Sequence, residues 1–425
     1  MKILIVGSGG REHALAWSFK RRNQDRTIFC ADGNAGISNL AECVDISPDD
    51  IEGLAEFAAN EKIDLTFVGG ETSLALGIVD RFEQAGLQII GPTQSAARLE
   101  SSKAFAKDFM EKHRIPTAAY ANCSSAEEAI TRLESGEFGD EETPVVVKAD
   151  GLAAGKGVVV AVDRKEAIAA VNALFEGHLV SKSAVGSLVL EECLFGKEVS
   201  LIMFSDGKNF ALMPPTRDHK RIGEGDTGDN TGGMGTVTDS SLLSKEQTKE
   251  IADSIIRPTL EGAAADGFPV TGILFLGLMM TEDGPKVLEY NVRFGDPETQ
   301  AILVNLETDL AEICDAMLQG SLDRLVINWK EGSSACVILA AENYPKTPRK
   351  GDRINGLEEA SASENVVVFH SGTAMDSDGY VVTAGGRVLG VTAVASNLSN
   401  SLHRAYKAAN KISWEGMYFR RDIGK

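Results

Sequence analysis

Apolar and polar positions along this chain follow two periods, and the switches between them divide it. Residues 2–7 are an apolar run ending in the tight turn Gly7-Ser-Gly-Gly10. A short apolar run bounded by glycines reads as a buried strand. A helical spacing follows at 11–22, a strand at 27–31, a helix at 49–60 and a strand at 63–68 that ends in Gly69-Gly70. A helix at 73–85 and a strand at 87–90 precede Gly91-Pro92. This alternation predicts a small parallel α/β sheet with helices on both faces, ending near residue 100. Helices at 103–113, 125–135 and 164–175 around a hairpin at 145–162 predict a small α+β unit. Residues 188–192 and 198–204 read as antiparallel strands joined near Gly196, with Asp206-Gly207 as a hairpin turn. Residues 214–236 show no period and predict a long loop of the functional kind. A helix at 244–266, strands at 271–281 and 286–292 joined by Asp283-Gly284, and a helix at 308–319 come next. Strands at 334–340, 366–370, 380–383 and 387–395, with a helix at 397–412, predict a compact C-terminal α+β unit.

Composition narrows the partners. The 425 residues allow roughly three domains of about 150 residues each. A net charge of −20 argues against a general nucleic-acid or anionic-membrane surface, so an anionic ligand needs a local cationic cluster. The cysteines Cys30, Cys43, Cys123, Cys193, Cys314 and Cys336 are scattered without a CxxC pair, as expected of reduced cytosolic thiols. The chain opens directly on a strand with no signal-peptide layout, and no apolar run approaches the roughly 20 residues of a membrane span. The expected location is cytoplasmic.

Candidate chemistry gathers in a few places. The loop Gly151-Leu-Ala-Ala-Gly155-Lys156-Gly157 joins two β-branched runs, with three residues between its first glycines where a P-loop has four. It is either a hairpin tip whose N–H groups and Lys156 cover phosphates, or an ordinary surface hairpin. In Val287-Leu-Glu289-Tyr-Asn291-Val-Arg293 the alternation puts Glu289, Asn291 and Arg293 on one strand face and Leu288, Tyr290 and Val292 in a core. An acid, an amide oxygen and a planar cation together suit a magnesium–phosphate ligand. Pro215-Thr-Arg217-Asp218-His219-Lys220-Arg221 concentrates cations in an acidic chain, before the glycine-rich stretch 223–235. Gly7-Ser-Gly-Gly-Arg11-Glu12 fails the dinucleotide fingerprint at Glu12 but opens a helix, which suits a small phosphate. No histidine stands in HExxH or zinc spacing, and no GxSxG elbow is present.

Taken in order, Gly9-Gly-Arg-Glu-His-Ala14, Gly91-Pro-Thr93, Ser102-Lys-Ala-Phe105, Lys148-Ala-Asp-Gly151, Asp218-His-Lys-Arg221, Asn230-Thr-Gly-Gly-Met-Gly235, Arg293-Phe-Gly-Asp-Pro-Glu-Thr-Gln300 and Gly385-Gly-Arg-Val-Leu389 resemble the ATP-grasp superfamily. Within it the chain resembles the glycinamide ribonucleotide synthetase family over nearly its whole length.

The resemblance implies a multidomain α/β and α+β protein: an N-terminal parallel α/β (pre-ATP-grasp) domain at 1–102, an ATP-grasp core at 103–122 and 188–328, a mobile hairpin lid at 123–187, and a C-terminal α+β domain at 329–425. It implies ATP-dependent ligation of glycine to 5-phosphoribosylamine through glycyl phosphate, in purine biosynthesis. Lys103, Lys148, Gly151, Gly155, Lys156 and Gly157 would meet ATP phosphates. Glu191 and Leu194 would meet adenine, and Glu198 the ribose. Glu289 and Asn291 would hold Mg²⁺ or Mn²⁺. Asp218 and Arg293 would orient glycine, with Lys148 the third catalytic residue, and Gly9, Gly10, Arg11 and Glu71 would hold phosphoribosylamine. A monomer, and a transient contact with the amidotransferase that makes the amine, are further implications. This sequence departs from the family pattern at Gly70 and Ser73, at Asp32 and Asp229 (Pro expected), at Arg217 (Gln expected) and at Glu342-Asn343 (Gly-Gly expected). A bicarbonate-using ATP-grasp ligase, a non-catalytic nucleotide sensor and an NAD oxidoreductase suggested by residues 3–12, which Glu12 disfavours, are the competing readings.

Overall fold

The computed structural model describes residues 1–152, 157–177 and 186–425. Near the N-terminus β1 (Lys2–Gly7), β2 (Thr27–Asp32), β3 (Glu42–Val44), β4 (Leu65–Val68) and β5 (Ile89–Ile90) form a parallel sheet in the order β3-β2-β1-β4-β5. β1 is central because it is apolar on both faces: Ile3, Leu4, Ile5 and Val6 are fully buried. Strand order reverses between β1 and β4, and such a sheet opens a ligand crevice at the carboxyl ends of its strands there. Gly7–Arg11 follows β1 and Gly69–Glu71 follows β4, so the topology puts both segments at that crevice. The helix expected at 73–85 is broken at Gly77, whose φ of +87° leaves the helical region. Asp32 turns into Gly33 with φ +76°, a value closed to proline. Asn343, at a position where the family pattern has glycine, takes φ +67°, which asparagine tolerates.

A second, four-stranded antiparallel sheet is made by β6 (Tyr120–Cys123), β7 (Val145–Ala149), β8 (Val158–Ala161) and β9 (Leu188–Glu192), ordered β6-β9-β7-β8. Helices Ala126–Glu134 and Arg164–Phe175 cover it over a separate core that includes Leu133, Val147, Val171 and Leu190. The β7–β8 hairpin forms as expected; Gly155 and Lys156 at its tip lie outside the described residues.

Two strand expectations change. β9 does not pair with β10 (Lys197–Asp206); the two belong to different sheets. The linker between them crosses so close to the neighbouring strand that a Cβ on Gly196 would collide with the Met280 carbonyl. Residues 214–236 are also no loop. They contain β11's successor β12 (Thr216–Asp218), then β13 (Arg221–Gly223), β14 (Thr227–Asn230) and β15 (Gly235–Thr238), where β11 is Phe210–Leu212. Strands this short carry no readable alternation, and their partners far along the chain define them. β13 and β14 pair with each other in a separate two-stranded sheet. With β10, β11, β16 (Thr271–Thr281), β17 (Gly284–Asn291), β18 (Ser333–Ala340), β19 (Val366–His370) and, after the small hairpin β20 (Thr373–Met375) and β21 (Val381–Thr383), β22 (Arg387–Ala395), β12 and β15 build one large sheet. Its order is β17-β16-β10-β12-β15-β18-β22-β19, with β11 on β10, so the C-terminal strands extend the sheet of the core.

Helix Glu298–Leu303, absent from the sequence reading, is buried at all its positions and so shows no amphipathic period. Phe294 wedges the N-terminal sheet to the large one, stacked on Phe67 with centroids 5.9 Å apart and edge-on to Phe204 at 6.1 Å. Among the described residues no helix is long and apolar enough to cross a membrane.

Candidate active site

One cleft collects residues from every unit except the C-terminal one. Helix Lys103–Lys112 contributes Lys103 and Lys107, the hairpin Lys148, Gly151 and Gly157, β9 Glu191, and β17 the run Leu288–Asn291; Glu71, Glu100 and Arg293 close one end. The sequence-derived candidates Glu71, Lys103, Lys148, Gly151, Gly157, Glu191, Glu289, Asn291 and Arg293 therefore meet.

The hairpin end is cationic. Lys148 Nζ pairs with Glu191 Oε1 at 2.8 Å and donates to the Leu288 carbonyl at 3.0 Å. Lys107 Nζ holds the other oxygen, Glu191 Oε2, at 3.0 Å. Burial outweighs that partner and brings Lys107 down to about 8. Lys103 rests on the neutral Gly151 carbonyl at 2.9 Å, and burial lowers it as well, against the pull of Glu289. Desolvated ammonium groups sharing one carboxylate gain from a polyanion placed among them. The Glu191 backbone is paired inside the four-stranded sheet with Tyr120 and Val146, and its carboxylate is what reaches the cleft cations.

On β17 the pairing slips by one residue opposite Gly277 and Leu278. This β-bulge turns Leu288 onto the cleft wall, so the core position expected for it is not realised; Val287, Tyr290 and Val292 face the core. Burial alone would raise Glu289, but Lys220, Lys148, Lys103 and Arg293 hold it below the usual carboxylate range. Lys220 bridges Glu198 at 2.5 Å and Glu289 at 3.7 Å, which links the half-buried Glu198 to the cleft it does not itself line. Leu194 sits in the inter-sheet linker and is also outside the lining. One carboxylate and one amide oxygen on a shared face fit an ion of the magnesium type, which takes its other ligands from phosphate and water. No group of three or more His, Cys, Asp or Glu able to hold a metal occurs among the described residues.

The other end is built on arginines already engaged. Arg293 pairs with Glu100 Oε1 at 2.8 Å and Glu71 Oε2 at 3.3 Å, and donates to Asn291 Oδ1 at 3.0 Å. Burial works to raise Glu71, but Arg293 and then Arg11 hold it down at about 2. Arg11 Nε bonds Glu12 Oε1 at 2.7 Å and its Nη1 the Phe294 carbonyl at 2.9 Å. The anion cradle at the helix start meets carboxylates of the protein itself: Gly9 N–H donates to Glu12 at 2.6 Å and Arg11 N–H to Asp296 at 3.4 Å. Gly10 packs against Ser371 and Gln300, which leaves no room for a side chain there. Asp218 accepts from Thr236 Oγ1 at 3.1 Å, and a Cβ on Gly233 (φ +108°) would stand 2.7 Å from its carboxylate. Burial and then the Glu298 charge raise Asp218, and burial also raises Glu298. Arg387 donates to the Asp296 carbonyl at 2.5 Å and to Gly232 O, joining β22 to this end.

Sequence reasoning gave no role to Lys107, Lys220, Glu100, Asp296, Glu298 or Arg387. A signal existed for some of them. Lys107 follows Lys103 by one helical turn, Asp296 and Glu298 stand in the motif after Arg293, and Arg387 in Gly385-Gly-Arg387. Glu100 offered none.

Three domains of one family match the chain: the phosphoribosylglycinamide synthetase N domain over residues 1–100, its ATP-grasp (A) domain over 101–299 and its C domain over 334–425. The phosphoribosylamine–glycine ligases of Vibrio vulnificus and Haemophilus influenzae are each 47% identical over 427 aligned residues, spanning 100% of this chain and 98% of each relative. The crystal structure of phosphoribosylamine–glycine ligase from Thermotoga maritima is similar with a TM-score of 0.84 at 33% identity, over 99% of this chain and 100% of that one. The biotin carboxylase domain of Hydrogenobacter thermophilus 2-oxoglutarate carboxylase, in complex with MgADP and bicarbonate, reaches 0.73 at 17% identity, over 98% of this chain and 91% of that one. At that identity the likeness is one of fold.

Proposed function

The chain belongs to the phosphoribosylglycinamide synthetase family, and we propose that it ligates glycine to 5-phosphoribosylamine with ATP, giving glycinamide ribonucleotide, ADP and phosphate. The observation that carries the site assignment is the meeting of Lys103 and Lys148 with the Glu289–Asn291–Arg293 face under one hairpin.

A glycine carboxylate is a poor electrophile and must be activated. Its oxygen attacks the γ-phosphorus of ATP, the bond to ADP breaks, and glycyl phosphate forms. The amine of phosphoribosylamine then attacks the acyl carbon, phosphate leaves with the C–O bonding pair, and the amine gives up one proton. Bringing the carboxylate to the phosphoryl group costs about 4 kcal/mol for unit charges at about 4 Å and an effective dielectric near 20. Lys103 and Lys148 offset that repulsion at the phosphates, and Arg293 at the carboxylate. Asp218 takes the ammonium of glycine. Gly9, Gly10, Arg11 and Glu71 hold the phosphoribosyl group, and the Arg11 and Gly9 contacts to Asp296 and Glu12 must adjust to admit its phosphate. Glu191 and Leu194 border adenine, and Glu198 the ribose. The hairpin through Gly151 and Gly157 covers the phosphates and keeps water from the acyl phosphate. Glu289 and Asn291 would hold a magnesium or manganese ion, which would supply charge neutralisation at the phosphates.

The same reading includes the four-part division at 1–102, 103–122 with 188–328, 123–187 and 329–425, a cytoplasmic monomer, and a transient contact with the amidotransferase. ADP release from ATP and Mg²⁺ tests the activity, with glycine and freshly generated phosphoribosylamine omitted in turn. Release is expected only when all are present. Release driven by bicarbonate in place of glycine overturns the reading, and ATP binding without turnover under every combination leaves a nucleotide sensor instead.

A further inference from the structure

β12 ends on Asp218 and the chain continues through His219 to Lys220. Alternation turns His219 away from the side its neighbours serve. His219 is 5% exposed and both ring nitrogens have partners. Nδ1 lies 3.0 Å from the Gly235 carbonyl, and the Gly424 N–H points at Nε2 from 3.1 Å. A carbonyl only accepts and an amide only donates, so the partners require the neutral ring with its proton on Nδ1.

Gly424 belongs to a segment that follows the 217–226 stretch almost residue by residue. Arg217 donates to Lys425 O at 2.8 Å, Tyr418 Oη to Ile222 O at 3.0 Å, and the Arg421 N–H to Glu224 at 3.0 Å. Arg420 is 1% exposed and reaches Arg221 O at 3.0 Å and Asp226 at 2.7 Å. Asp422 takes two Arg420 nitrogens at 2.8 Å each and the Gly225 N–H at 2.8 Å. Tyr406 Oη ties the segment to the C-terminal helix, donating to Arg420 O at 3.0 Å and accepting from Ile423 N–H at 3.0 Å. None of these groups lines the cleft.

We infer that residues 418–425 are a positioning element: acting through His219, they hold the strand that presents Asp218 and Lys220 to the substrates. Short strands rich in Gly and Asp do not hold their own register, and the β13–β14 pair slips within its few residues. The segment supplies the missing constraint from about 200 positions away in sequence, by the ion pairs and hydrogen bonds of the buried Arg420 and by a ring whose two nitrogens each accept one arrangement. Lys220 is the residue this constraint serves most directly, since it spans Glu198 and Glu289.

The test compares His219→Ala, His219→Gln and Tyr406→Phe with the parent. The kinetic arm rests on the assignment of Asp218 to glycine; the exchange arm does not. For His219→Ala, kcat/KM for glycine is expected to fall by about 10- to 100-fold, the size of effect that a misplacement of about 1 Å produces. KM for ATP is expected to stay within about 2-fold, because the lysine cluster stands on other elements. Amide hydrogen exchange is expected to quicken at 216–226 and not at 2–7 or 188–192. His219→Gln, which restores an acceptor for the Gly424 N–H, is expected to recover much of both. Unchanged exchange at 216–226, or equal losses for glycine and ATP, overturns the inference. If His219→Ala does not fold, Tyr406→Phe decides by the same two readouts, since it removes one hydroxyl from the tie. Were the parent to show no glycine-dependent turnover, the proposed function would fall while the exchange arm still judged the positioning role.

Discussion

The two ends of the cleft treat positive charge differently. At the hairpin end three buried lysines gather: Lys107 and Lys148 share Glu191, and Lys103 rests on a neutral carbonyl. At the other end Arg293 lines the cleft, and Arg11 and Arg387 stand beyond its lining; each of the three is seated on a carboxylate. The first arrangement is short of negative charge and suits a polyanion that arrives and departs. The second is organised by the protein's own carboxylates before any ligand binds, which suits the orientation of glycine at Arg293, while the Arg11 contacts adjust to the ribose phosphate. A lysine is a compact cation that tolerates changing partners, whereas a guanidinium fork holds one geometry.

Four measurements press on that contrast, from the largest effect to the smallest. Glu289→Ala combined with Asn291→Ala is expected to lower metal-dependent ADP release by about 10³-fold or more, with circular dichroism unchanged; near-parent turnover would remove the nucleotide end from the mechanism. Lys148→Met is expected to lower kcat and raise KM for ATP. Glu191 keeps Lys107 as its partner, so chemical denaturation should show a loss smaller than the roughly 3 kcal/mol of a buried pair left uncompensated. Arg293→Lys keeps the charge and loses the fork. A fall of about 10- to 100-fold in kcat/KM for glycine with little change for ATP is expected; an effect on ATP alone would put Arg293 at the wrong end. The smallest effect is on acid stability. Glu71 has its folded-state value held at about 2, below its ordinary 4.5. Its contribution is therefore fully present above about pH 4.5 and is lost as pH falls through about 2. The stability difference between the parent and Glu71→Gln should shrink across that window, by about 1–3 kcal/mol in total; a difference flat with pH would show that the arginine end is not electrostatically organised through Glu71.

Local pattern carried far at the hairpin end. The helix over 164–175, the strand at 271–281 and the hairpin around Lys148 form where the apolar period predicts them. Lys103, Lys148 and Glu289 stand on such elements, and they meet. Pattern failed over 214–236, where Gly, Asp and Thr give no period and yet β12 and β15 lie inside the largest sheet. It failed again at helix Glu298–Leu303, whose complete burial erases the contrast between faces. At Leu288 the alternation was sound, and a bulge set by β16 displaced it.

By itself the sequence determined the class of each periodic segment, the serial order of the short motifs and the acidic background that any anion site must overcome. Each of these is a local or summed property of residues near one another in the chain, or of the chain as a whole. Only the tertiary structure decided that Glu191 pairs with both Lys107 and Lys148, that Arg293 sits on Glu100, that Asp296 and Glu12 cap the Gly9–Arg11 turn, and that Gly424 meets His219 beside Asp218. Most of these contacts join positions tens to hundreds of residues apart. A pairing between distant side chains depends on how sheets stack and strands register, and it leaves no periodic trace in either partner's neighbourhood.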